Sequence, residues 1–159
     1  MMALAFANVS SGFREASEYL LDCCLYTIPA GLEEGYATDG GYPEGPGYWS
    51  YGTTYSVVFM SALKASTGSD YGFINAPGFR ESFYFINSLG SIEKGAWNYH
   101  DAGEGRIDSG LYFWFASNTG DKNIGGLRYN SIMEGFNLPG YWDMIWYAPD
   151  IYTTDIDLS

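Results

Sequence analysis

Asp39-Gly40-Gly41-Tyr42-Pro43-Glu44-Gly45-Pro46-Gly47-Tyr48-Trp49-Ser50-Tyr51-Gly52-Thr53 sets the carboxylate of Glu44 between glycines and prolines, then crowds aromatic rings into the start of an apolar-periodic segment. Glycine admits positive φ and close approach by a ligand, while proline fixes φ and removes a donor. The stretch therefore reads as a stiff connection that opens a helix. Its rings suit a carbohydrate site, because sugars stack on aromatic faces and their oxygens meet tyrosine hydroxyls.

Beyond this connection, apolar residues at Tyr51, Tyr55, Val58, Phe59, Ala62 and Leu63 recur at helical steps. Gly68, in Thr67-Gly68-Ser69, is placed to close that helix. Upstream, Phe13, Ala16, Leu20, Leu21, Cys24 and Ile28 predict an earlier helix by the same rule. Pro77 predicts a third start, with Phe79, Phe83 and Ile86 turned inward. Between Gly90 and Asp108 the periodicity stops, and glycines alternate with Trp97, Asn98, Tyr99, His100 and Asp101 in a second irregular connection. Helical signals return from Gly110 to Ala116, from Ile124 to Glu134, and from Tyr141 to Tyr147 before Pro149. No hairpin dipeptide with alternating flanks is present, so no strand pairing is predicted. The expectation is an all-α fold, a single helical domain over 1–159 of about five or six helices, with two long Gly/aromatic-rich loops.

Composition narrows the function classes. Nineteen acidic residues against 7 basic ones give a net charge of −12, which excludes a basic stripe for nucleic acid. A polyanionic ligand would need local positive charge from Arg80, Arg106, Arg128 or the lysines. Aromatic residues make up 19% of the chain, with 15 Tyr and 5 Trp, which suits either a bulky core or a half-wet binding surface. Cys23 and Cys24 are adjacent and form no disulfide framework, so both are expected to be helix-borne thiols, at least one of them buried. With one His and no spaced cysteine pairs, no metal site or cofactor is expected. No run approaches a membrane span, and Met1 to Ala7 lacks the basic start of a signal peptide. A soluble chain without a membrane partner is expected, with both ends reading as cut.

Three blocks in this order, DGGYPEGPGYWSYGTTY (39–55), GSDYGFINAPGF (68–79) and WNYHDAGEGR (97–106), resemble the helical domain of the heparinase II/III-like polysaccharide lyases. Leu127 to Tyr147 is similar to the last helices before that family's β domain, so the resemblance covers almost the whole chain. It implies an incomplete (α/α) toroid segment of antiparallel helix pairs. The N-terminal toroid helices and the C-terminal β domain would be absent, and with them charge-neutralising residues and a histidine. It further implies a parent enzyme, typically periplasmic or secreted, that cleaves uronic-acid-containing polysaccharide by β-elimination. The isolated chain would have little activity, since catalytic groups act as a unit.

In that chemistry a base removes the proton α to the uronate carboxylate and an acid protonates the departing glycosidic oxygen. The carboxylate must be neutralised by donors aimed at it. The Asn98-Tyr99-His100-Asp101 pattern makes Tyr99 the candidate acid or base by this resemblance, with Arg106 nearby to neutralise charge. The alternative is that Tyr99 only packs its loop. Glu44 either lines the cleft or serves the N-terminus of the following helix. His100 is a candidate base or a loop hydrogen-bonder. Tyr48, Trp49, Tyr51, Trp97 and Asn98 are candidate sugar contacts, although some of these rings must be core because Tyr51 shares a face with Tyr55 and Phe59. The expected partner is an acidic polysaccharide or oligosaccharide, with a homo-oligomer through exposed helix faces. The rival readings are a non-catalytic carbohydrate-binding or self-associating helical module, and an α/α-barrel glycoside hydrolase. The hydrolase would need a second carboxylate, Asp101 or Glu104, beside Glu44.

Overall fold

The computed structural model describes residues 11–91, 95–97, 99–103 and 109–156. Among these, six α-helices follow one another: α1 (Ser11–Gly35), α2 (Gly45–Thr67), α3 (Glu81–Ser88), α4 (Leu111–Thr119), α5 (Lys122–Met133) and α6 (Tyr141–Trp146). A 3₁₀ turn over Phe73–Asn75 leads into α3. The fold is helical, with one departure from the expectation of no strand pairing. Gly90–Ser91 (β1) pairs antiparallel with Gly95–Ala96 (β2), Gly90 opposite Ala96 and Ser91 opposite Gly95. A ladder of two residues carries no alternation for a sequence to display.

The short α4 is the hub. Every side chain from Leu111 to Ala116 is buried, and the helix packs against α5, α6 and α2. The core is a nest of rings: Phe83 meets Tyr112 edge-on at 4.7 Å, and Phe115 lies 5.8 Å from Phe79 and 6.3 Å from Trp49. Edge-to-face and offset pairs of this kind contribute about 0.5–1.5 kcal/mol each beyond area burial. Polar tips inside the nest are partnered. Trp49 Nε1 donates to Ser82 Oγ at 2.9 Å, and Trp114 Nε1 donates to Ser61 Oγ at 3.0 Å.

Two helices turn inward a face that only partly overlaps the one the spacing predicts. On α2, Val58 and Leu63 of the predicted stripe are buried together with Trp49, Thr53, Val57 and Met60, whereas Tyr51 and Tyr55 are exposed. Counting tyrosine as apolar moved the predicted stripe, because its hydroxyl lets the ring sit in water. On α1, Phe13 and Leu20 are exposed, and the helix docks through Leu32 with Leu21, Leu25 and Ile28 partly buried. That helix also runs past its predicted end and through Pro29 to Gly35. Pro29 cannot donate to the Leu25 carbonyl, but Leu32 on the next turn anchors the helix in the core. Cys23 and Cys24 are free thiols, each half-buried, so neither is a fully buried core residue.

The third helix begins at Glu81 rather than directly after Pro77, with Phe79, Phe83 and Ile86 buried as the pattern requires. Asp121 caps α5 by accepting from the Asn123 N–H at 3.0 Å. Gly125 and Gly126 on α5 leave room for the returning chain. A Cβ at either would stand 2.2 Å from the Ile151 carbonyl oxygen or 2.1 Å from that of Thr153. No helix among the described residues is long and apolar enough to cross a membrane.

Candidate functional site

The first loop, 36–44, is built by its backbone. Ala37 N donates to Gly41 O at 2.9 Å, Gly40 N donates to Ala37 O at 2.7 Å, and Asp39 Oδ1 accepts from Gly41 N at 3.0 Å. The chain then turns into α2 at Gly45, whose φ of +86° only glycine adopts without strain. Its missing side chain also matters for packing. A Cβ there would lie 2.5 Å from the carbonyl oxygen of Tyr99, so the second loop rests directly on this glycine. Ala102 is buried beside Gly45 and Gly47, and its N–H returns to Tyr99 O at 3.3 Å.

A side chain ties the same junction. The Tyr99 hydroxyl donates to the carbonyl of Tyr42. The two irregular connections, which are 57 residues apart along the chain at this bond, therefore meet over the N-terminus of α2. Burial raises the Tyr99 pKa above the ordinary phenol value, and a hydrogen bond from the Gly45 backbone partly offsets this. Tyr42 is raised too, first by burial and then by the charge of Glu44 and a hydrogen bond to it. Both hydroxyls thus keep their protons at neutral pH. That state suits a proton donor, and acting as a base would require a partner to take the proton.

The remaining candidates divide. Glu44 stands exposed at the α2 N-terminus and makes no capping hydrogen bond with its side chain, so it does not cap the helix through that side chain. His100 is exposed in a left-handed conformation, φ 53°, with its ring edge-on to Tyr99 at 5.9 Å. Tyr48 and Trp97 reach solvent, Trp97 being 78% exposed. Trp49 is not a surface platform: it is fully buried, held by Ser82 and stacked on Phe115. Asn98, Glu104 and Arg106 lie outside the described residues. Among the described residues no group of three or more His, Cys, Asp or Glu side chains is gathered as a metal ligand set.

Sequence reasoning missed Tyr42 as the acceptor for Tyr99, since a backbone carbonyl has no signature in sequence. It also missed a groove of ≈ 640 Å³ that starts at Gly47, beside the loop junction. One wall is the exposed face of α2, where Tyr51 and Tyr55 meet at 4.9 Å. The other is the start of α6, where Tyr141 and Trp142 lie 4.8 Å apart and Trp142 stacks on Trp146 at 4.8 Å and 9°. The i, i+4 spacing of Trp142 and Trp146 was the one available signal. At the floor, Arg128 grips Asp143 through Nε–Oδ1 at 2.7 Å and Nη2–Oδ2 at 2.6 Å. Asp143 Oδ2 also accepts from the Gly140 N–H at 2.7 Å, which fixes the start of α6.

Compared with known proteins, the chain matches no protein-family model and no curated protein.

Proposed function

We propose that this chain is an α/α-toroid segment of a heparinase II/III-like polysaccharide lyase, and that the junction of its two loops is the part of the cleft that meets a uronic-acid-containing glycan. The observation that carries this reading is the Tyr99–Tyr42–Gly45 contact. It draws two of the blocks that resemble the family's signatures into one place, with Glu44, Trp97 and His100 on those same loops and Tyr48 in the first turn of α2. Tyr99 serves as the proton donor to the departing glycosidic oxygen. Its raised pKa keeps the proton available, and substrate must first draw the hydroxyl away from the Tyr42 carbonyl. A base takes the α-proton, a role for which His100 beside Tyr99 is the candidate. The glycosidic carbon–oxygen bond breaks, a carbon–carbon double bond forms in the uronate ring, and the released oxygen takes the proton of Tyr99. Solvent restores that proton, while the base gives its own back to water.

Turnover by this chain is expected to be weak, because no lysine or arginine is among the described residues that form the junction. Incubation with unsulfated and sulfated uronate polymers, read by absorbance of the unsaturated product, tests the reading. Slow elimination that Tyr99→Phe abolishes in a folded variant supports it. Elimination that survives Tyr99→Phe overturns the role of Tyr99, and saturated chain ends overturn the lyase in favour of a hydrolase. A chain that neither binds nor cleaves any uronate polymer overturns the whole.

A second reading, a self-associating helical module, is favoured by one observation: α1 exposes Phe13, Tyr19, Leu20 and Tyr26. Light scattering across a concentration series decides it, and a monomer at high concentration removes it.

A further inference from the structure

The ring-walled groove between α2 and α6 has a chemistry of its own. Gly47, Ser50, Tyr51, Thr54, Tyr55 and Val58 line it over three turns of α2, a span of about 16 Å at 1.5 Å per residue. Its ≈ 640 Å³ falls within the range of ligand clefts. The walls present aromatic faces, with the hydroxyls of Ser50, Thr54, Tyr51, Tyr55 and Tyr141 beside them. Apolar faces interleaved with hydroxyl donors and acceptors match a sugar ring, which has one C–H face and a rim of oxygens.

Charge then narrows the ligand. Among the described residues, the charged groups lining the groove are Arg128 and Asp143, which form a two-bond pair 1% and 4% exposed, with Arg128 Nη2 also donating to the Leu138 carbonyl. The chain as a whole carries −12. A sulfate or carboxylate entering the groove would leave water for a site whose described lining offers no exposed cation, against the field of the molecule. An uncharged ring meets neither cost.

We propose that the groove is a subsite for an uncharged stretch of a glycan, held by ring stacking between the Tyr51–Tyr55 wall and the Tyr141–Trp142 wall. The proposal rests on the glycan reading of the loop junction and specifies its substrate class: a chain in which the uronate cleaved at the loops adjoins neutral, unsulfated sugars lying along α2.

Titration of the full chain with an uncharged β-linked glucose hexamer and with a sulfated heparin-type hexamer tests it, followed by tryptophan fluorescence and calorimetry. The uncharged hexamer is expected to bind, with affinity insensitive to added salt. Tyr51→Ala, at an exposed position, is expected to weaken it about tenfold while circular dichroism is unchanged. Tighter binding of the sulfated hexamer that Tyr51→Ala weakens overturns the proposal. So does equal affinity of Tyr51→Ala and the parent chain for the uncharged hexamer, or no binding of that hexamer at all. The two readings separate cleanly. Tyr51-dependent binding of the neutral hexamer, with uronate polymers neither bound nor cleaved, sinks the lyase and keeps the groove. Elimination dependent on Tyr99 and indifferent to Tyr51→Ala does the reverse.

Discussion

Trp49 and Tyr51 sit on one helix, two residues apart, and meet opposite environments. Trp49 is fully enclosed among Phe83, Phe115 and Ser82, while Tyr51 is 63% exposed and leans on Tyr55 at the edge of the groove. The two regions use the same residue types for different ends. In the core, rings fill volume and their polar tips are satisfied by Ser82 and Ser61. In the groove, Tyr51, Tyr55 and Tyr141 are exposed to solvent. The aromatic excess of this chain is therefore neither all core nor all binding surface, and the phase of α2 divides it.

The hardest way to break that comparison is to truncate both rings. Trp49→Ala removes a fully buried indole and takes away the N–H that the Ser82 hydroxyl oxygen accepts, so a loss of about 3–5 kcal/mol is expected in urea unfolding. Tyr51→Ala removes an exposed ring and is expected to stay within about 0.5 kcal/mol. Similar costs for the two variants would mean that the phase of α2 is other than described.

The sequence signals located the helices but not which way they face. Spacing marked α1, α2, α3, α4, α5 and α6, since steps of three and four survive an error in the identity of the inward face. On α2 the predicted face holds at Val58 and Leu63 and fails at Tyr51 and Tyr55, because tyrosine counts as apolar in a pattern and behaves as amphipathic in a structure. The loop candidates were visible as glycine, proline and ring clusters. What joins them was not, because Tyr99 binds a carbonyl and rests on the absent side chain of Gly45. The Arg128–Asp143 pair was equally hidden, as its members belong to separate helices and neither sits in a motif.

Gly45 tests whether that hidden contact holds the loops together. Gly45→Ala must accommodate φ of +86° and a methyl 2.5 Å from the Tyr99 carbonyl oxygen. A loss of about 2 kcal/mol is expected, part from backbone strain and part from displacing the second loop. Amide chemical shifts of Tyr99 and Ala102 should move more than those of α4. A stability change under about 0.5 kcal/mol with unmoved shifts at Ala102 would mean that the loops touch without being locked. The core would then be the only rigid aromatic region.

The smallest effect is the most specific, because it fades as pH rises. Tyr36 lies in the core, its hydroxyl 2.9 Å from Thr53 Oγ1, and burial pushes its pKa up to about 12 from the usual 10.0. The folded pKa is raised, so the stabilisation is complete below the unfolded value and declines as pH climbs through that window toward the folded one. In that window the unfolded chain has released a proton that the native state still holds, and stability falls with pH. At about pH 11 the wild-type loss from this group alone is roughly 1.4 kcal/mol. Tyr36→Phe gives up the hydroxyl's bond, about 1 kcal/mol at neutral pH, but has no phenol at this position to ionise. The variant should therefore be the less stable protein at about pH 8, and its deficit should close by about pH 11. Urea midpoints at the two pH values measure this directly. A deficit that stays constant would place the Tyr36 hydroxyl in water, and with it dissolve the contrast between enclosed and open rings.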